Sequence, residues 1–185
     1  MQIVPASRAD LDGIRALLKA KHVDNVRPQD RADGFVTTDI TDEQLERLIV
    51  QEHGVTIARE EGRVLAFAFA ADWAFWKEWP LFVYMMEKLP EFSFHGQVLT
   101  VENTYQYGPV CLDRTIRGSG VFERVFFASL ATMRGRYPIM TTFINQVNGR
   151  SWAAHTRKAH MTRCGSFTFR RNVYDLMACS TSQQP

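Results

Sequence analysis

The chain has 185 residues, of which 45% are hydrophobic and 12% aromatic, and its formal net charge is +2. This composition excludes a disordered protein, and the length predicts one domain, residues 1–185, with one good-sized core. No apolar run is long enough to cross a bilayer, and the first residues lack the apolar core of a signal peptide. We therefore expect a cytoplasmic protein that binds no membrane, and its three widely spaced cysteines are expected to be reduced thiols.

The charges are unevenly distributed along the chain. Residues 1–112 hold 11 Lys and Arg against 17 Asp and Glu, whereas residues 113–171 hold 11 against 2. A basic half suits a polyanionic cofactor or a nucleic acid, or is ordinary solvated surface charge. The basic residues are scattered over several predicted elements, and the acidic half would repel a phosphate backbone. We therefore expect no nucleic-acid partner.

The first part of the chain carries clear start and stop signals. Ser7 and Asp10 form a predicted capping box before an amphipathic helix, and Thr41 and Gln44 form a second one. Residues 60–62, Glu-Glu-Gly, are typical of a hairpin turn. The predicted elements are a strand at 2–5, a helix that ends before 22, a loop at 22–40, a helix that ends before 54, and strands at 55–58 and 63–71.

Residues 73–94 are dense in Trp, Phe, Tyr and Met, and Pro80 and Pro90 bound their helical middle. Such a cluster suits the wall of an apolar ligand pocket, and we expect substrate specificity to depend on this stretch and on the loop at 26–40. However, both faces of this stretch are too apolar for a free surface helix. We favour the interpretation that it packs on the sheet or against a second copy of the chain, and the latter predicts a homodimer.

The second part of the chain opens with an interrupted strand. Residues 98–112 are strand-like, but Gly108-Pro109 lies within them. Pro109 has no N–H for a ladder, so the strand is expected to bulge or to part from its neighbour there. The predicted elements that follow are a helix at 121–133, a strand at 138–144, a helix at 151–160, and strands at 164–169 and 173–177. The complete order is β, α, α, β, β, α, β, α, β, α, β, β.

The most informative motif is the run Arg117-Gly118-Ser119-Gly120-Val121, which separates a predicted strand from a predicted helix. Glycines at such a junction let backbone N–H groups close around an anion, and the helix adds unpaired amides and the positive end of its dipole. A phosphate or pyrophosphate suits this arrangement. The competing interpretation is a plain turn, which the same five residues also satisfy.

The element order and two motifs resemble the GNAT superfamily of acetyl-CoA-dependent N-acetyltransferases over about residues 2–178. The first motif is Arg/Gln-x-x-Gly-x-Gly/Ala, met by residues 117–122 with Phe122 in place of the final small residue. The second is Asn-x-x-Ser, met by Asn148 and Ser151. The resemblance implies an α/β (α+β) fold with a mixed, mostly antiparallel sheet of six to seven strands. Helices flank this sheet, and its fourth and fifth strands are splayed.

The resemblance also implies acetyl-CoA as co-substrate. The backbone amides of Gly118, Ser119, Gly120 and Val121 would hold its pyrophosphate, and Arg117 would add positive charge. The pantetheine arm would lie along the fourth strand, whose matching positions are Val110, Cys111 and Leu112. Asn148 and Ser151 would contact the arm from the other side. As alternatives, Asn148 is a turn residue and Cys111 a small buried hydrophobe that contacts the cofactor only by its backbone.

The implied reaction is direct attack of a small-molecule amine on the thioester in a ternary complex. In many family members a Tyr at the position of His155 acts as the general acid. We expect His155 either to act as the general acid or to have a structural role. Tyr107 is the candidate proton relay, and Trp73, Trp76 and Tyr105 are candidate acceptor contacts. No carboxylate suggests a general base, and no third ligand joins His155 and His160, so we expect no metal. The alternative is a non-catalytic acyl-CoA-binding or regulatory module with the same cleft.

Overall fold

The computed structural model describes residues 1–29 and 35–184. Nine strands are described: β1 Gln2–Pro5, β2 Val55–Glu60, β3 Arg63–Ala71, β4 Ser93–Phe94, β5 Gln97–Val98, β6 Thr104–Leu112, β7 Ile139–Asn145, β8 Thr162–Phe169 and β9 Asn172–Ser180. Seven of them form one sheet in the order β1-β2-β3-β6-β7-β9-β8, and β4 and β5 form a separate hairpin. Within the large sheet only the β6–β7 pair is parallel. The predicted fold class is confirmed.

Helices cover both faces of the sheet. They are α1 Leu11–Lys21, α2 Asp42–Val50, α3 Trp73–Trp76, α4 Pro80–Lys88, α5 Val121–Met133 and α6 Gly149–Arg157. The first four bury their apolar side chains in one core cluster on one face, whereas α5 and α6 close a second cluster on the other. The sheet therefore separates two cores. No helix within residues 1–29 and 35–184 has the length and apolar character of a membrane span.

The two predicted capping boxes are present. The backbone N–H of Ser7 donates to Asp10 Oδ2 at 2.9 Å, and a short 3-10 turn over Arg8–Asp10 leads from this box into α1. Before α2, the Gln44 N–H donates to Thr41 Oγ1 at 3.2 Å. Such caps satisfy amides that a helix leaves unpaired at its start, and each contributes about 1 kcal/mol.

Two regions differ in detail from the sequence prediction. The strand expected over 98–112 begins only at Thr104, because Asn103 closes a turn before it. The side chain of Asn103 accepts from the Thr100 N–H at 2.8 Å and donates to the Val98 carbonyl at 2.8 Å. The hairpin of β4 and β5 is absent from the prediction, since its strands of two residues carry no readable periodicity.

The aromatic segment packs on the sheet, as the favoured interpretation predicts. The Trp76 ring stacks on Phe82 with centroids 4.6 Å apart and is fully buried. The indole N–H of Trp73 donates to Thr104 Oγ1 at 2.8 Å and so ties α3 to the start of β6. Because this packing occurs within one chain, the predicted homodimer is not needed to bury the segment and stays a prediction.

The strands β6 and β7 part after a short parallel ladder. Thr104–Gln106 pair with Ile139–Thr141, and no later β6 residue pairs with β7 in the described part of the chain. On its other edge β6 follows β3, but the register shifts between Ala68 and Ala70, opposite Gly108-Pro109. Both consequences expected at Pro109, a bulge and a separation, are therefore observed. The separation opens a V-shaped cleft between the two strands.

Candidate functional site

The cleft contains two adjoining cavities. The larger has a volume of about 430 Å³ and lies toward the start of α5; we call it the basic cavity. The smaller, about 140 Å³, lies toward α4 and β9 and is called the neutral cavity. Six residues line both: Phe35, Val36, Val110, Asn148, Ser151 and His155. Because these walls are shared, the two cavities form one continuous site between the parted strands.

The basic cavity collects positive charge from distant parts of the chain. Its charged lining residues are Lys21, Arg117, Arg150, Arg157 and Lys158, and no Asp or Glu stands among the described residues that line it. Partial burial and the nearby Arg117 guanidinium lower the pKa of Lys21. Like charges held this close favour an anionic ligand, since an anion relieves their mutual repulsion. Lys158 also forms an ion pair with Glu123 at 3.1 Å.

The start of α5 is left open at its backbone. Gly120 is the N-cap with φ +77° and ψ 1°, and no side chain caps the helix. Gly118 also has positive φ, +79°. By contrast, α6 is capped by Asn148, whose Oδ1 accepts from the Ser151 N–H at 3.1 Å. The first-turn amides of α5 thus have neither an intrahelical partner nor a side-chain cap, which is the geometry that binds phosphate groups.

The parted edge of β6 supplies the wall between the two cavities. Val110, Cys111 and Leu112 all line the basic cavity, beyond the point where β7 leaves. An unpaired strand edge offers N–H and C=O groups to an extended ligand. Burial raises the pKa of the Cys111 thiol to about 12, so the sulfur stays protonated. This state agrees with the interpretation that Cys111 contributes through its backbone.

The alternatives for Asn148 are compatible with each other in the structure. Its Oδ1 caps α6, as a turn residue would, and the residue lines both cavities. Since Oδ1 is committed to the Ser151 N–H, the amide NH₂ group is the part that has donors left for a ligand. Ser151 follows it on the same wall.

His155 is buried, with 2% of its surface exposed, and lines both cavities. Its Nδ1 lies 2.8 Å from the Ser151 carbonyl, which can only accept, so Nδ1 carries the proton. Nε2 is buried and has no partner among the described residues. Burial lowers the pKa of the ring to about 4. A ring in this state accepts a proton at Nε2 and can donate one there only after it has accepted it, so the predicted role of general acid requires that His155 first act as a base.

Tyr107 lines the neutral cavity, and its ring lies 5.9 Å from that of His155. Its hydroxyl is buried without a hydrogen-bond partner among the described residues, and burial raises its pKa well above the usual value. The phenol therefore stays protonated. Its role as a proton relay remains a prediction.

Three candidate acceptor contacts lie elsewhere, and this placement corrects the prediction. Trp73 and Trp76 are buried in the core cluster beneath α3 and α4, and neither lines a cavity. Tyr105 is fully buried in the opposite cluster, beneath α5. Aromatic composition predicts a pocket and a core equally well, and here the rings are needed to fill the space between helix and sheet.

One residue of the site is missing from the sequence prediction, and one segment is predicted only as part of a specificity loop. Lys21, at the end of α1, reaches the basic cavity from almost one hundred residues before the glycine motif. The segment of residues 35–38 roofs the cleft, held by the Val36 N–H, which donates to the Lys21 carbonyl at 2.9 Å. The expected specificity loop, residues 26–40, includes this roof, whereas residues 30–34 lie outside the described residues. Only the folded chain brings these parts together.

The remaining side chains give no indication of a metal centre. Within the described part of the chain, no group of three or more His, Cys, Asp or Glu residues is arranged to hold an ion. Asp175 is buried, but it is occupied by hydrogen bonds from Gln146 at 2.9 Å, Ser166 at 2.8 Å and Trp152 at 3.1 Å. These contacts identify it as a structural carboxylate.

The overall architecture is similar to that of several solved acetyltransferases. No family model and no curated protein matches the sequence. A GNAT-family acetyltransferase from Streptococcus agalactiae superposes with a TM-score of 0.65 at 12% identity, over 98% of this chain and 96% of its own. The ribosomal-protein-alanine N-acetyltransferase of Brucella melitensis gives 0.62 at 17%, over 97% and 99%.

The yncA protein of Salmonella typhimurium, solved with its cofactor acetyl-CoA, gives 0.63 at 15% identity, over 99% of this chain and 95% of its own. Likeness at this level of identity shows the fold, and it extends over nearly the whole of each chain. The resemblance inferred from the two sequence motifs is thereby confirmed at the level of architecture: the chain has the fold of the GNAT acetyltransferases.

Proposed function

We propose that the protein is an N-acetyltransferase that transfers the acetyl group of acetyl-CoA to the amine of a small molecule within a ternary complex. The observation that carries the proposal is the cleft itself, where an uncapped helix start, a basic wall and an unpaired strand edge adjoin. These features match, in order, a pyrophosphate, the phosphates around it and an extended pantetheine arm. Its location in the cytoplasm stays a prediction.

The chain's own groups account for binding. The amides of Gly118, Gly120 and Val121 would hold the pyrophosphate, since the Ser119 N–H already donates to the Ile116 carbonyl at 3.4 Å. Gly118, Arg117 and Lys21 line the basic cavity, and the last two would be the counter-charges. The backbone of Val110 to Leu112 would align the arm as an added strand, and the amide NH₂ of Asn148 would donate to it from the facing helix. Acetyl-CoA supplies an activated thioester, so the protein's task is to position an amine and to manage its proton.

His155 is the residue to which we assign the role of accepting the proton of the attacking amine. His155 lines both cavities, and its Nε2 is a lone-pair acceptor without a partner among the described residues, while Nδ1 donates to the Ser151 carbonyl. As the amine nitrogen attacks, its N–H becomes strongly acidic, so a weak base suffices to accept the proton. His155 can then donate this proton to the thiolate sulfur of coenzyme A, because it also lines the basic cavity.

A non-catalytic acyl-CoA-binding module is the competing function. It is favoured by one observation, that no carboxylate lines either cavity within the described residues. Release of coenzyme A thiol and mass-spectrometric detection of the acetylated amine, over a panel of amines, decide between the two. We expect turnover in the parent protein and a loss of about 100-fold or more in His155→Ala. Tight acetyl-CoA binding without turnover of any amine would identify the module instead.

A further inference from the structure

The neutral cavity differs from its neighbour in charge and in lining. Within the described residues it contains no Asp, Glu, Lys or Arg, and His155 is its only titratable member besides the two tyrosines. Aromatic rings from four parts of the chain wall it: Phe35, Phe82, Phe143 and Tyr174. The rings of Phe82 and Phe143 meet edge to face at 5.1 Å, and those of Phe143 and Tyr174 at 5.7 Å. The described lining therefore offers no counter-charge to a cationic ligand.

The size of the neutral cavity limits its occupant. Its volume is about 140 Å³, and an apolar protein cavity of about 150 Å³ is large enough to take up benzene. The rings around it would contact a flat aromatic guest edge to face, as they already contact each other. A single aromatic ring with small substituents therefore fits the space.

One residue of the cavity lining, Gln106, carries a polar atom that has no partner among the described residues. The Nε2 of Gln106 donates to the Tyr107 carbonyl at 2.6 Å, and a carbonyl cannot donate in return. This bond fixes the side-chain amide, so Oε1 is the free end. Gln106 is only 2% exposed, and its Oε1 is buried without a hydrogen-bond partner among the described residues. A buried acceptor in this state favours a ligand that brings an N–H or O–H.

Gln106 stands at the point where the strands separate. It is the last β6 residue that pairs with β7, opposite Thr141, and it lines the neutral cavity. Beyond Gln106, β6 bulges and then forms part of the wall of the basic cavity. An amine held at Oε1 would thus lie at the root of the cleft, where the end of an extended arm in the basic cavity arrives.

We propose that the acceptor is a primary aromatic amine whose ring fills the neutral cavity and whose N–H donates to Gln106 Oε1. This inference rests on the proposed function. The nitrogen lone pair attacks the thioester carbon, a C–N bond forms and the C–S bond breaks. The nitrogen loses one proton to His155 Nε2, and that proton leaves with the thiolate as the coenzyme A thiol. The bond to Gln106 strengthens as the nitrogen becomes positive, so it stabilises the transition state more than the ground state.

An aromatic amine also suits the proton chemistry of the cavity. Alkylamines are almost entirely protonated at pH 7, with a pKa of about 10.4 for the lysine side chain. To react, they need a carboxylate or another strong base to remove that proton. Aromatic amines are neutral at pH 7 and bring their lone pair ready to attack. The described lining of the cavity, without a carboxylate, matches this second class.

The test compares p-toluidine, cyclohexylamine and spermidine as acceptors at pH 7 with saturating acetyl-CoA. We expect kcat/KM for p-toluidine to exceed that for either alkylamine by about 100-fold or more, given their neutral fractions. Gln106→Leu should lower kcat/KM for p-toluidine by about 10- to 100-fold, while acetyl-CoA affinity in calorimetry stays unchanged. Gln106→Glu adds a carboxylate and should shift the preference toward cyclohexylamine.

Thr56→Val is the matched control, because Thr56 is also buried with an unpartnered side-chain oxygen but lies on β2 and lines neither cavity. It should leave both kinetic constants unchanged. Preferred turnover of alkylamines, or an equal effect of Gln106→Leu and Thr56→Val, would overturn the inference and leave acetyl transfer intact. If no amine consumes acetyl-CoA in the parent protein, the proposed function itself fails and the inference with it.

Discussion

Substitution of Gly120 by alanine separates backbone strain from ligand binding, because the chain offers a matched glycine elsewhere. Gly120 and Gly62 share a φ of +77°, and a Cβ placed at either position meets nothing within 4 Å. Gly120 opens α5 at the basic cavity, whereas Gly62 lies in the turn between β2 and β3. The two variants therefore carry the same conformational cost, and only one of them has a Cβ beside the predicted phosphate site.

The expected magnitudes follow from these geometries. A residue other than glycine in the left-handed region costs about 1 kcal/mol. For a chain of this size that cost lowers the melting temperature by about 2–4 °C, in Gly120→Ala and Gly62→Ala alike. In Gly120→Ala the methyl group also keeps a phosphate from the first-turn amides. Loss of one charge-assisted hydrogen bond, about 1.5–3 kcal/mol, weakens acetyl-CoA binding by about 10- to 100-fold.

Differential scanning calorimetry measures the melting temperature that the backbone strain lowers in the two variants. Isothermal titration calorimetry measures their affinity for acetyl-CoA. Gly120→Glu extends the series, because a carboxylate at this position repels the pyrophosphate, and binding should become undetectable. Equal acetyl-CoA affinity in Gly120→Ala and Gly62→Ala would refute the placement of the phosphate at the start of α5. Unequal losses of melting temperature would show that the strain argument itself is at fault.

Four further variants test other parts of the structure. Burial lowers the pKa of His155 to about 4 in the folded protein, so the ring is neutral there at pH 7. Its contribution to stability is therefore fully present above pH 6.5 and is lost as the pH falls toward 4. In urea unfolding across this range, the free energy of unfolding should decline as the pH falls, and His155→Leu should make this decline smaller. Asp175→Asn weakens the bonds from Trp152 and its other donors and should cost about 1.5–3 kcal/mol in the same assay, whereas a cost near zero would contradict its structural role. Cys111→Ala should bind acetyl-CoA with parental affinity in calorimetry, because the residue is buried and its backbone is the part proposed to hold the arm. A loss of more than about 10-fold would assign the sulfur a direct contact. Trp76→Ala removes a fully buried ring that stacks on the core and should cost about 3–5 kcal/mol in thermal unfolding; a near-zero cost would show that the ring is not part of the core.

The sequence predicts the parts of the cleft that depend on local backbone chemistry. A glycine junction before a helix, a Pro109 without an N–H and a turn at Asn148 are local properties of the chain. The structure has positive φ at Gly118 and Gly120, a register shift opposite Pro109 and a helix start at Asn148. The order of strands follows from the same local signals, so the fold and the separation of β6 from β7 are readable from the printed chain.

The acceptor side depends on distances between elements that periodicity does not encode. Trp73 and Trp76 have the composition of a pocket wall but fill the core, while the actual rings come from α4, β7 and β9. Lys21 carries no local signal, because its role arises only where the end of α1 meets the glycine motif. For Gln106 the residue type is plain in the sequence, but which end of its amide is free follows from the bond to the Tyr107 carbonyl.

The roof of the cleft has a consequence for the affinities of the two cavities. Residues 35 and 36 line both cavities, and Val36 is bonded to the last residue of α1 through the Lys21 carbonyl at 2.9 Å and to the turn after it through the Val23 N–H at 2.8 Å. A molecule bound in the basic cavity contacts the same short segment that lines the neutral cavity. We expect the two binding events to be thermodynamically linked, each changing the affinity for the other by the same factor. Prior occupation of either cavity would then be felt in the other through one short shared segment.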